Sequence, residues 1–263
     1  MKDSDVMHHW GMKSLLRAFL DAVFPPKCLV CGSLEGMRPP QDAGNGASTL
    51  RAPCLCKPCE AQLLPIQSPL CPQCGIPFVS RQGPDHYCGA CLMETRVFRK
   101  ARSFGAYRGT LMKAIQVLKY GKKAAVSWPL SQRVKECFDR HWQWDEVDLL
   151  LAVPLHGKRL RERGFNQAHL LISRWARDQG VTLDDSLLLR HRKTQPQTGL
   201  TLPARKRNVK GAFVVQKPES VRGRRILIID DVYTTGATVS ECARVLMNAQ
   251  AEYVDVLTLA RAL

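Results

Sequence analysis

Between Cys28 and Cys91 the chain places eight cysteines in four CxxC pairs, Cys28/Cys31, Cys56/Cys59, Cys71/Cys74 and Cys88/Cys91. A CxxC turn presents two thiolates to one metal ion, and two such knuckles complete a tetrahedral zinc site of four thiolates. Four knuckles make two sites. A segment this short and poor in apolar residues cannot fold around a core of its own, so it needs the metal as a staple. Four thiolates leave zinc no open position for water, which makes both sites structural.

The second set, CPQCG and CGAC, is separated by 13 residues, close to zinc-ribbon spacing. The first set has a gap of 24 residues, filled largely by EGMRPPQDAGNGASTLRAP, whose Gly, Pro and Ser content predicts a surface loop. Cys54 and Cys56 compete for one ligand position there. Cys137 and Cys242 stand outside the cluster, and Cys242 reads as a core residue of a helix. In the reducing cytoplasmic setting expected for this chain, 11 cysteines read as metal ligands in place of disulfides. Residues 12–24 carry Leu15, Leu16, Phe19, Leu20 and Val23, interrupted by Lys13, Arg17 and Asp21. That pattern predicts a short amphipathic helix, not a signal peptide, and no apolar run is long enough to span a membrane.

From residue 100 onward the periodicity changes. ARSFGAY, VDLLLAVPL, ILIID and EYVDVLTLA read as strands, and GTLMKAIQVLKYG as a helix with Leu111, Ile115 and Leu118 on one face. The basic stretch HGKRLRERG reads as a turn, followed by a helix beginning near Asn166; another helix starts near Thr238. Alternating strands and helices predict an α/β domain with a mainly parallel sheet, binding ligands beyond the C-terminal ends of its strands.

Residues 226–238, ILIIDDVYTTGAT, end at that edge. A buried strand runs into two carboxylates, Asp230 and Asp231, and then a turn of Thr234, Thr235, Gly236, Ala237 and Thr238 opens a helix. Unpaired N–H groups at a helix N-terminus bind phosphate readily, Gly236 permits close approach, and the threonines add hydroxyl donors. The carboxylates would repel a phosphate, so they suit sugar hydroxyls or hydrated magnesium. A ribose 5-phosphate meets both demands. Charge agrees: residues 100–225 hold 27 Lys and Arg against 10 Asp and Glu, a net +17 that accounts for all of the chain's formal +16. Such a field favours polyanions, whether nucleic acid or a phosphorylated small molecule.

ILIIDDVYTTGAT resembles the 5-phosphoribosyl-1-pyrophosphate (PRPP) binding motif of type I phosphoribosyltransferases. With the four CxxC pairs and VPLHGKRLRERGFNQA, nearly the whole chain resembles the ComF family, also called GntX: double zinc ribbons joined to a phosphoribosyltransferase-like domain and linked to natural competence. The resemblance divides the chain into residues 1–24, a short helix; 25–99, a double zinc ribbon; and 100–263, the phosphoribosyltransferase-like domain. It implies that Asp230 and Asp231 contact ribose hydroxyls and that Thr234 to Thr238 wrap the 5-phosphate. Residues 154–159 would form the pyrophosphate loop, with Lys158 and Arg159 neutralising charge. Arg163, Gly164, Phe165, Asn166 and Gln167 form the RGFNQ signature, of which Arg163 and Asn166 are candidate ligand contacts. Residues 190–210, with seven Lys or Arg and no acid, would be a mobile loop closing over the site. Thr234 stands where purine-salvage members carry an aspartate, which argues against a purine base.

Two functions follow. One is a magnesium-dependent enzyme that transfers ribose phosphate from PRPP to an unidentified acceptor. The other is a PRPP-binding protein of DNA uptake, whose basic middle region tracks single-stranded DNA and whose partner is a DNA-translocating ATPase.

Overall fold

The computed structural model describes residues 23, 25, 27–37, 54–80, 82–121, 123–195 and 201–263. The helix expected over 12–24 and most of the loop between Cys31 and Cys54 fall outside them. The chain divides into two units, 1–61 and 62–263. In the first, the knuckle of Cys28 and Cys31 closes through Gly32 N donating to Cys28 O (2.9 Å), and Met37 bridges Cys56 just before helix α1 (Lys57–Ala61).

The second unit begins with the other pair of knuckles. Gly75 N donates to Cys71 O (2.9 Å), Leu70 bridges Pro77, and the short helix α2 (Gly89–Met93) carries Cys91. Gly75 has φ +70°, and a Cβ there would collide with the Ala101 carbonyl, so the knuckle lies directly on the start of the sheet.

That sheet has five parallel strands, β1 (Ala101–Ala106), β2 (Leu149–Ala152), β3 (Thr182–Leu183), β6 (Arg225–Tyr233) and β7 (Tyr253–Arg261). Their order is β1-β7-β6-β2-β3, with β4 (Leu188–Arg190) and β5 (Phe213–Val215) forming a separate antiparallel pair. The parallel α/β fold expected from alternation is present. Ile226 to Ile229 are 1% exposed or less, because they sit mid-sheet and covered on both faces. Each such side chain contributes about 2 kcal/mol. Ile226 and Ile228 share a cluster with Val239, Cys242 and Leu246 of α8 (Ala237–Asn248). Helices α4 (Ser127–His141) and α6 (Gln167–Asp178) pack together and contact the sheet. Asp255 of β7 accepts from Trp142 Nε1 (2.7 Å) and Arg99 Nε (3.0 Å), which fixes the end of α4 and the approach to β1.

Three local expectations change. HGKRLRERG is not a turn but a helix, α5 (Gly157–Arg163): His156 Nδ1 accepts from Lys158 N to cap its start, and Gly164 at φ +82° stops it. Strand β6 runs through the acidic pair to Tyr233, since β7 goes on pairing with it as far as Tyr233↔Arg261. On the other side β2 ends at Ala152↔Ile229, so the carboxylates lie where the sheet is one strand short. The basic segment 190–210 is not one loop either. It starts in β4, and residues Leu202–Val209 form helix α7; residues 196–200 lie outside the described part.

Candidate functional site

The cysteines meet as two groups of four, Cys28, Cys31, Cys56, Cys59 and Cys71, Cys74, Cys88, Cys91, with the sulfurs of each group within 4.8 Å of one another. Zinc at about 2.3 Å from four tetrahedral sulfurs sets them about 3.8 Å apart. Cys31 Sγ lies 3.6 Å from Cys56 Sγ, and Cys74 Sγ 3.7 Å from Cys88 Sγ. The donor sets therefore fit zinc, and Cys56, not Cys54, completes the first. Burial opposes ionisation of Cys28 and Cys71, but backbone N–H groups of their own and the facing knuckle, Cys31 and Cys56 for Cys28 and Cys74 and Cys88 for Cys71, outweigh it and lower the thiols to about 6 and about 7.

A cleft of about 750 Å³ opens over the C-terminal edge of the sheet. Asp230, Asp231, Thr234, Gly236, Ala237 and Thr238 line it, and so do Arg159, Arg163 and Asn166 from the segment after β2. Residues far apart in sequence and singled out there converge on one opening. Gly236 is the left-handed residue (φ +78°) that caps α8, and the first residues of that helix, Ala237, Thr238 and Val239, line the cleft. Its substitution is barred twice, since a Cβ would also sit 2.6 Å from Tyr233 Cζ.

Asp230 accepts from Asp231 N (2.8 Å), while Asp231 Oδ1 pairs with Lys119 Nζ at 2.7 Å. Burial, and then the neighbouring Asp231 carboxylate, push Asp230 up to about 7. One ammonium thus balances two acids that would otherwise repel. Lys119 ends helix α3 (Gly109–Tyr120), four residues after buried Ile115. A lysine four residues beyond Ile115, on the apolar stripe of that helix, is the signal of this role in the sequence. Arg190, at the start of the basic segment 190–210, lines the cleft too, and burial lowers its guanidinium, with Arg159 adding repulsion.

The remaining named residues do other work. Thr235 Oγ1 accepts from Ala237 N (3.4 Å) within the turn. Asn166 uses its side chain twice, accepting from Ala168 N (3.1 Å) as the cap of α6 and donating to Val153 O (3.1 Å). Lys158 lines a neighbouring cavity of about 580 Å³ with His156, Arg159, Glu162, Arg190 and Lys193. The two openings therefore share Arg159, Glu162, Arg190 and Gln195 as their common wall, two cations and one acid among them. Such an arrangement can hold a sugar by its hydroxyls and neutralise several phosphate charges at once.

Comparison with known families matches two stretches of the chain. Residues 19–92 match a double zinc ribbon domain and residues 163–263 a phosphoribosyl transferase domain. The DNA utilization protein YhgH of Escherichia coli K12 is 36% identical over 200 residues, spanning 74% of this chain and 85% of that protein. Competence protein F of Haemophilus influenzae is 31% identical over 214 residues, 79% of this chain and 90% of that one. The chain belongs to the ComF family. Competence protein ComFC of Bacillus subtilis, 28% identical over 246 residues, spans 89% of this chain and 94% of its own. The chain joins a double zinc ribbon to a phosphoribosyltransferase domain, and the zinc sites are those of the two cysteine groups. Among the described residues, no helix is long and apolar enough to cross a membrane.

Proposed function

We propose that this ComF-family chain binds PRPP in the cleft and serves the uptake or use of DNA. The observation that carries the reading is the convergence of Asp230 and Asp231 with the N-terminus of α8 in one opening walled by Arg159 and Arg190. The carboxylates take the ribose hydroxyls. The N–H groups and hydroxyls of 234–238 take the 5-phosphate, and Arg159, Arg190 and Lys158 neutralise the pyrophosphate. The acid pair beside an incoming pyrophosphate suits magnesium arriving with PRPP, which would supply charge neutralisation at the leaving oxygens.

The names of the relatives and the excess of cations in residues 100–225 support a polyanionic macromolecule as partner, with single-stranded DNA as the proposed one and a DNA-translocating ATPase beside it. A cytoplasmic location goes with this reading, since thiolate zinc sites persist under reducing conditions. A second reading, transfer of ribose phosphate from PRPP to an acceptor, is favoured by the intact acid pair and phosphate turn.

The test is calorimetric titration of magnesium and PRPP into the zinc-loaded chain, alongside an Asp230→Asn/Asp231→Asn variant. Binding that the variant loses supports the site; a wild type without binding rejects it. Pyrophosphate release across a panel of acceptors tests transfer. DNA affinity that is indifferent to salt would reject backbone tracking.

A further inference from the structure

Arg261 closes strand β7 at 6% exposure and is not part of the cleft wall. Its Nη1 donates to the Cys74 carbonyl (2.6 Å), and its Nη2 lies 3.7 Å from Cys74 Sγ. The guanidinium carbon sits 4.3 Å from the centre of the Tyr233 ring. Tyr233, 2% exposed, is the last residue of β6, immediately before the turn that caps α8. Gly236 folds against that ring so closely that a Cβ would reach within 2.6 Å of Cζ. Ala262 N donates to Tyr233 O (2.9 Å), and Phe98 meets the ring edge-on at 6.4 Å, so the strand end and one side of the ring are both held. A zinc knuckle, a guanidinium, an aromatic ring and the glycine of the turn are thus stacked in series.

We infer that zinc binding at Cys71, Cys74, Cys88 and Cys91 and phosphate-ester binding at the turn 234–238 are coupled through Arg261 and Tyr233. The inference rests on the reading of that turn as the phosphate site. Zinc with four thiolates carries a net charge of about −2, which a guanidinium donating to the knuckle offsets. With the metal in place, the Cys74 carbonyl and sulfur hold Arg261 at a fixed height over Tyr233, and the clamped ring sets the left-handed bend at Gly236. Without it, the knuckle loosens and Arg261 loses both acceptors. The N–H groups of α8 then lose the support that aims them at the ligand. Arg261 and Tyr233 act as positioning residues, and the coupling is reciprocal: a ligand that binds better to the zinc-loaded form tightens zinc by the same factor.

The test is a competition for zinc between the wild-type chain and a chromophoric chelator, with and without saturating magnesium and PRPP, alongside calorimetry. The expected result is that one of the two zinc equivalents is held about tenfold more tightly when PRPP is present, while the other is unmoved. In parallel, Arg261→Leu should keep two zinc ions per chain at saturating metal yet bind PRPP about tenfold more weakly, with Arg261→Lys recovering part of the loss. PRPP binding in the wild type with no change in either zinc affinity would overturn the coupling alone. No PRPP binding in the wild type would overturn the ligand reading, and the coupling with it.

Discussion

Lys119 Nζ stands 2.7 Å from Asp231 Oδ1, and Asp231 N donates to Asp230, so a single ammonium underpins both acids of the candidate ribose site. Burial works against the charge of Lys119, but Asp231 and then Asp230 outweigh it and raise its pKa. The acid pair is thus a three-residue unit assembled from α3 and β6.

This unit gives stability a definite pH dependence. Asp230 titrates at about 7 in the folded chain and near 4 when unfolded. Between those values the folded chain holds a proton that the unfolded one has released, so this contribution to stability declines as pH rises from about 4 to about 7. Asp230→Asn removes the titration. Thermal midpoints should therefore favour the variant over wild type increasingly from acid to neutral pH, and a constant difference would contradict the assignment. Lys119→Met should act in the opposite direction, costing about 3 kcal/mol at neutral pH and less in acid, read by urea unfolding.

Gly236→Ala meets two obstacles at once, a left-handed backbone and the Tyr233 ring. The backbone alone costs about 1–2 kcal/mol. The larger effect falls on the turn, so PRPP affinity measured by calorimetry should drop at least tenfold, by roughly 1.4 kcal/mol or more. An unchanged affinity would mean that the turn does not touch the ligand.

Zinc content separates the two cysteines that sequence could not. Cys56→Ser should lower bound zinc from two per chain to one, while Cys54→Ser keeps both, because only Cys56 joins Cys28, Cys31 and Cys59. Atomic emission on the purified variants gives the answer.

Arg159 lines both openings, whereas Lys158 lines only the neighbouring one. Arg159→Ala should accordingly weaken PRPP binding by about tenfold or more, and Lys158→Ala by clearly less. Equal losses would place the pyrophosphate across both cavities.

Sequence carried what neighbours along the chain can satisfy among themselves. Each CxxC knuckle closes its own turn, as Gly32 N to Cys28 O and Gly75 N to Cys71 O show. Ile226 to Ile229 read as a strand buried on both faces, and they are. The segment after β2 was harder, because seven residues rich in charge carry almost no apolar period; a cap at His156 and a stop at Gly164 make them a helix.

Sequence by itself therefore determined the second zinc site, three ligands of the first, the parallel α/β domain and the acid pair leading into the Thr/Gly turn, since each is written in a short local spacing. Tertiary structure decided which partners those motifs meet. Lys119 reaches Asp231, Arg190 joins the wall of the cleft, and Arg261 lies against Cys74 across 187 residues of chain. Such pairings depend on which strand ends lie side by side, and only the packing of β1, β7, β6 and β2 into one sheet sets that order.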